Sequence, residues 1–230
     1  MRLIQFAENG GARMGVRTGD DVVDLGFAAP DMPTDMLDLL TAGPAAMRAV
    51  AEAVAAAHES PRHKLSDLRL LPPVRRPGKI LCLGLNYTDH AAEAGLAKPD
   101  NPVLFMRGAS SLVAAGGAIV RPNCSDQLDY EGELVAVIGT TAKHVDRDRA
   151  LDHVAGYAVF NDASIRDYQT IALLTECMTL DPGDLLVMGT PSGVGAVRKP
   201  PLWMKPGDVV EVEIEKIGLL RNEIVAEDAA

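Results

Sequence analysis

No stretch of eighteen apolar residues occurs anywhere in this chain, so the sequence offers no membrane-spanning helix. Cysteine is scarce. Cys82, Cys124 and Cys177 stand far apart, odd in number and without the spacing of a zinc site or a disulfide framework. That usage fits a reducing compartment and leads us to expect a cytoplasmic protein. Positive charge is also in short supply: Lys and Arg number 22 against 32 Asp and Glu, a formal net charge of −10, with a pI near 4.9. Such a chain is a poor partner for nucleic acid or for an anionic membrane surface. An anionic small molecule stays open as a substrate, because a bound metal and one Arg can reverse the local field. A signal peptide is not expected, since the opening Met1-Arg2-Leu3-Ile4-Gln5-Phe6-Ala7-Glu8 turns polar too early. There is no internal repeat. What is abundant is apolar: 47% of 230 residues, enough for a substantial core in one large domain or one domain with a small appendage.

The punctuation divides the chain. Residues 1–27 alternate short apolar runs with turns at Asn9-Gly10-Gly11 and Gly19-Asp20-Asp21, the pattern of small antiparallel strands. Residues 34–58 are Ala-rich and helical, with a break at Gly43-Pro44, where Pro suits the first turn of a second helix. Leu70-Leu71-Pro72-Pro73-Val74-Arg75-Arg76-Pro77-Gly78 reads as a proline-dense connector. We therefore expect a small N-terminal α+β domain over 1–72 and a β-rich domain over 73–230. In the second unit strands are expected at 79–85, 103–106, 118–120, 128–138, 155–160, 184–188 and 209–214, with a return over 217–224. Short helices are expected over 88–95 and near 170–178.

The densest chemistry is Leu128-Asp129-Tyr130-Glu131-Gly132-Glu133-Leu134-Val135-Ala136-Val137-Ile138, followed by Asn161-Asp162. Alternate residues of a strand share a face about 7 Å apart, so Glu131 and Glu133 point the same way. Two carboxylates held together repel unless a proton or a cation intervenes. With Asp162 from a nearby segment they make a hard-oxygen pocket of the kind Mg²⁺ or Mn²⁺ occupies. The alternative is a solvated, charged strand face. Gly132 sits on the opposite face, where a strand glycine often marks close backbone approach.

Three other stretches carry polar chemistry. In Asn86-Tyr87-Thr88-Asp89-His90-Ala91-Ala92-Glu93, His90 and Glu93 are three apart and share a helix face. A carboxylate beside an imidazole makes a general base; the alternative is an ordinary exposed pair. Arg166 can clamp a substrate carboxylate or simply pair with Asp167. Met188-Gly189-Thr190-Pro191-Ser192-Gly193-Val194-Gly195 is a Gly-rich loop after an apolar strand. It lacks the Gly-Lys-Ser/Thr and the following helix of a nucleotide site. Its backbone amides and the Thr190 hydroxyl can still hold a carboxylate.

Taken in order, these motifs resemble the fumarylacetoacetate hydrolase family. They are Gly84-Leu85-Asn86-Tyr87-x-Asp89-His90-x-x-Glu93, Leu128-Asp129-Tyr130-Glu131-x-Glu133-Leu134, Asn161-Asp162-x-Ser164-x-Arg166-Asp167-x-Gln169, Met178-Thr179-Leu180-x-Pro182-Gly183-Asp184, Gly189-Thr190-Pro191-x-Gly193-Val194-Gly195 and Lys205-Pro206-Gly207-Asp208-Val209-Val210. The similarity runs over roughly residues 75–225 and is nearest to the shorter members, the acylpyruvate and fumarylpyruvate hydrolases and related isomerases and decarboxylases. It implies a mixed β-sandwich roll and a homodimer. It implies Mg²⁺ or Mn²⁺ on Glu131, Glu133 and Asp162, a His90–Glu93 catalytic dyad, and substrate contacts from Arg166, Gln169 and Thr190. The implied reaction is hydrolysis of a C–C bond in a 3-acylpyruvate or similar keto acid through an enolate held by the metal. The same machinery also serves oxaloacetate-type decarboxylation and hydroxymuconate-type isomerisation.

One departure stands out. Between Gln169 and Thr170 family members carry several dozen further residues, including an active-site Lys. Losing them would leave strands unpaired. We therefore expect residues missing from the sequence as given rather than a true deletion; a true deletion would leave a non-catalytic metal-binding homologue as a further reading.

Overall fold

The computed structural model describes residues 1–57, 60–87, 102–123, 125–165, 185–187 and 189–227. The alternating N-terminal runs form β1 (Arg2–Glu8), β2 (Gly11–Thr18) and β3 (Asp21–Asp24). Asn9 and Gly10 join the first two strands, both with positive φ (50° and 78°), which is what a two-residue hairpin turn demands. The sheet gains β4 (Arg62–Lys64) and β5 (Arg69–Leu71) and runs β4-β3-β2-β1-β5. The expected connector at 70–78 therefore starts later, because Leu70 and Leu71 pair with Phe6 and Gln5 of β1. The proline-rich stretch begins just beyond, and the buried Gln5 amide donates to the Pro73 carbonyl at 2.7 Å.

The Ala-rich region divides at Gly43 as its sequence indicates. Helix α1 (Leu25–Ala28) comes first, then α2 (Met36–Thr41) and α3 (Gly43–Ala56), with Pro44 in the first turn of α3. The side chain of Asp35 caps α2 through the Leu37 amide at 2.9 Å. Arg75, from beyond the sheet, grips the same carboxylate at 2.5 Å.

A second sheet also has five strands. Its strands are β6 (Ile80–Gly84), β7 (Val103–Arg107), β10 (Gly132–Ile138), β11 (Val154–Asn161) and β13 (Leu185–Val187). They run in the order β11-β10-β13-β6-β7, and among the described residues of this sheet only β13 and β6 pair in parallel. A second layer is built from β8 (Ala118–Arg121), β14 (Val209–Ile214) and β15 (Gly218–Ala226), in the order β14-β15-β8. The predicted strand 128–138 breaks in two. Leu128–Asp129 (β9) pairs with Ser164–Ile165 (β12), whereas β10 pairs with β11 and β13. The chain changes partners at Tyr130-Glu131, and the acidic cluster grows at that change.

The two units share one core. Met14, Val16, Leu25, Met36, Leu39 and Val50 pack in a single buried cluster with Ile80, Cys82, Val135, Leu185 and Val187. The expected helices at 88–95 and near 170–178 lie outside the described residues. Among the described residues, no helix is long and apolar enough to cross a membrane.

Candidate metal centre

The register of β10 against β11 builds the site. Gly132 lies opposite Asn161, so Glu131 and Asp162 fall side by side just past the paired ends. Two bonds lock them together: the Asp162 amide donates to the Glu131 carbonyl at 2.8 Å, and the Glu131 amide donates to the Asn161 side-chain oxygen at 3.0 Å. Glu133 follows two residues on, on the same side. Glu131, Glu133 and Asp162 each offer a carboxyl oxygen, and these lie within 4.8 Å of one another. All three are nearly inaccessible: 8%, 2% and 1% exposed. A solvated strand face is thereby excluded.

Glycine admits the close packing around this cluster. A Cβ on Gly132 would come within 2.9 Å of Val212 in the second layer. Gly189 has φ +87°, and a Cβ there would meet the Leu83 carbonyl at 2.8 Å and the Asn86 Cβ at 3.1 Å. Its amide donates to Glu133 Oε2 at 3.1 Å. Thr190 beside it is buried, and its hydroxyl donates to the Gly132 carbonyl at 3.1 Å. The Gly-Thr-Pro loop is thus pinned onto the start of β10, over the carboxylates. Asn86 and Tyr87, which lead into the His90 stretch, pass against the same loop. His90, Glu93, Arg166 and Gln169 themselves lie outside the described residues.

The electrostatics are those of crowded acids. Burial first, then the charges of Asp162 and Glu131, push Glu133 up to about 9, against the pull of the Gly189 amide and Arg107. Burial first, then the same three carboxylates, raise the Cys82 thiol against the pull of Arg107. Three buried carboxylates that cannot all stay charged alone are a fitting donor set for a hard dication. All-oxygen ligation of this kind suits Mg²⁺ or Mn²⁺.

The pH dependence follows from Glu133. Its folded-state value lies above the ordinary 4.5, so the metal-free folded chain keeps a proton that the unfolded chain gives up. The metal-free protein therefore loses stability as pH rises from the ordinary carboxylate range towards 9. An entering dication displaces that proton. Affinity for Mg²⁺ should climb about tenfold per pH unit below pH 9. Calorimetric titration at stepped pH checks this, and a pH-independent affinity would contradict it.

Three further residues border the cluster or its supports. Arg107 ends β7 and packs its guanidinium on the Asp162 carboxylate and the Ser164 hydroxyl. Its sequence signal was a lone Arg closing an apolar strand. Asn161 supplies the lock described above. Asp129 shares the period-two pattern with Glu131 and Glu133 but turns away from them. It is fully buried and accepts from the Tyr130 and Ala196 amides at 2.8 and 3.0 Å, anchoring the far end of the Gly-rich loop.

The comparisons with known proteins agree with this architecture. The family model for the fumarylacetoacetate (FAA) hydrolase C-terminal domain matches residues 79–175 and 168–225. The mitochondrial oxaloacetate tautomerase fahd2 of Xenopus laevis is 31% identical over 292 aligned positions, covering 98% of this chain and 90% of its own length. Among solved structures, a putative HpcE protein from Mycobacterium smegmatis superposes with a TM-score of 0.81 at 27% identity, over 99% of this chain and 100% of its own. A fumarylacetoacetate hydrolase from Exiguobacterium antarcticum gives 0.79 at 28%, with the same coverage. The chain belongs to the fumarylacetoacetate hydrolase family.

The alignments also bear on the junction at Gln169-Thr170. A chain of 230 residues aligned over 292 positions lacks several dozen that its relative carries. The two family-model segments overlap at 168–175, across that junction. The sequence runs unbroken from Gln169 to Thr170. The gap thus falls where the motif order places the absent residues, and Gln169 and Thr170 lie outside the described residues.

Proposed function

We propose that this chain is a divalent-cation-dependent enzyme acting on a small 2-oxo acid, and that its chemistry is enolisation at the carbon next to the keto group. The observation that carries the reading is the convergence of Glu131, Glu133 and Asp162 within 4.8 Å in a nearly water-free setting. Those three side chains would hold Mg²⁺ or Mn²⁺. When bound, such an ion supplies Lewis acidity, stabilising negative charge on the oxygen of the enolising acid.

The remaining steps fall to the chain's own groups. His90, oriented by Glu93, takes the proton from the carbon and returns it to oxygen. Arg166 and Gln169 hold the carboxylate, and the Thr190 loop, already fastened to β10, closes that end of the site. Keto–enol tautomerisation of an oxaloacetate-like diacid needs nothing more, and it is the activity in the name of the Xenopus laevis relative. C–C hydrolysis of a 3-acylpyruvate is the second reading, supported by the hydrolase from Exiguobacterium antarcticum. There His90 would take its proton from an attacking water.

The assay is the purified chain with Mg²⁺ or Mn²⁺, presented with oxaloacetate, a set of 3-acylpyruvates and a hydroxymuconate-type diacid, with products identified. Loss of the oxaloacetate enol without cleavage supports tautomerisation; release of pyruvate and an acid supports hydrolysis. Turnover that survives a chelator contradicts both. Cation binding without any turnover would favour the non-catalytic homologue that the missing segment brings into play. His90→Ala should lower turnover on the order of a hundredfold while leaving cation affinity unchanged. Equal loss of cation binding would remove His90 from the role of base.

A further inference from the structure

We propose that Arg107 acts on the dication centre through its charge: laid on Asp162, its guanidinium covers part of the deficit left when no ion is bound, and so tempers the affinity for the ion. The inference rests on the metal-centre reading above. Arg107 reaches Asp162 along two routes. Its guanidinium Nε lies against Asp162 Oδ1. Its Nη2 donates to Ser164 Oγ, and that hydroxyl donates on to the Asp162 backbone carbonyl at 3.3 Å. Both the side chain and the main chain of the ligand are thus tied to the end of β7. Asp162 and Ser164 are 1% and 8% exposed, so these contacts are made with little water to screen them.

The charge count sets the direction of the effect. Three carboxylates around a seated dication carry one net negative charge. Without the ion they carry three, less any proton they hold. The single positive charge of Arg107 is therefore worth more in the metal-free protein than in the loaded one. Removing it should cost the metal-free state more, and by linkage the variant should then bind the ion more tightly. A residue that merely held Asp162 in shape would act in the opposite direction, since its loss would loosen a ligand and weaken binding.

The test titrates MgCl₂ into wild type, Arg107→Met and Arg107→Lys by calorimetry at one pH, with melting curves with and without the ion. Arg107→Met should bind Mg²⁺ roughly tenfold more tightly, and its metal-free melting temperature should fall further than its loaded one. Arg107→Lys keeps the charge and should stay within about threefold of wild type. If Arg107→Met does not fold, Arg107→Gln, which keeps an amide donor for Ser164, carries the same expectation. Weaker or unchanged binding in the neutral variants, or identical behaviour of Arg107→Lys and Arg107→Met, overturns the inference. Wild type that binds Mg²⁺ alongside a weaker Arg107→Met defeats this inference alone; wild type that binds no dication defeats the metal centre with it.

Discussion

Replacing Glu131 with Ala should abolish turnover and reduce dication affinity on the order of a thousandfold, to the loss of roughly 4 kcal/mol of binding. Two carboxylates are a poor donor set for an ion that demands several hard oxygens. The substitution leaves the local backbone bonds in place, because Glu131 uses its amide towards Asn161 and its carbonyl towards Asp162. It also removes one of the charges that push Glu133 up. The variant should therefore melt, metal-free, at or above the wild-type temperature. Stability gained as function is lost marks a site held together against its own repulsion. Calorimetric titration beside a melting curve reads both quantities. A variant that loses activity only because it unfolds would contradict the account.

The second large effect is expected at the other end of the Gly-rich loop. Gly195→Ala places a methyl group on the Leu202 carbonyl oxygen and 2.6 Å from Asp129 Oδ1. Both obstacles are main chain or buried: the Leu202 amide already bonds to the Gly195 carbonyl at 3.0 Å, and Asp129 is fully enclosed. Neither can step aside as a surface side chain would. The cost should be on the order of 3 kcal/mol, or roughly a 10 °C fall in melting temperature for a chain of this size. Part of the damage should reach the carboxylates. The loop that Asp129 anchors through Ala196 begins at Gly189, whose amide holds Glu133. A melting curve decides this, and an unchanged midpoint would show that the loop accommodates the methyl.

Much of this arrangement was legible in the residues. Period-two acids at the head of an apolar strand announced Glu131 and Glu133, because strand geometry alone puts alternate side chains on one face. Asn-Gly and Gly-Asp turns marked the N-terminal hairpins, and Gly43-Pro44 divided the helices. Less visible was anything set by pairing rather than by local pattern. Strands β4, β5, β9 and β12 are two or three residues long, too short to show a period. The break at Tyr130-Glu131 depends on which neighbours the two halves find. Asp129 continues the acidic alternation and yet serves a loop, since the chain turns between it and Glu131. Arg107 gave only a faint signal because its partner, Asp162, lies far along the chain, just past the end of another strand.

The central claim is that one hard dication sits among Glu131, Glu133 and Asp162. A crystal of the wild-type chain soaked in Mn²⁺ and measured at the manganese edge tests it most directly. The account predicts one anomalous peak per chain with an oxygen of each of the three carboxyl groups about 2.1–2.2 Å away. A site left empty at saturating Mn²⁺, or a peak bound elsewhere with these three side chains turned from it, would contradict it.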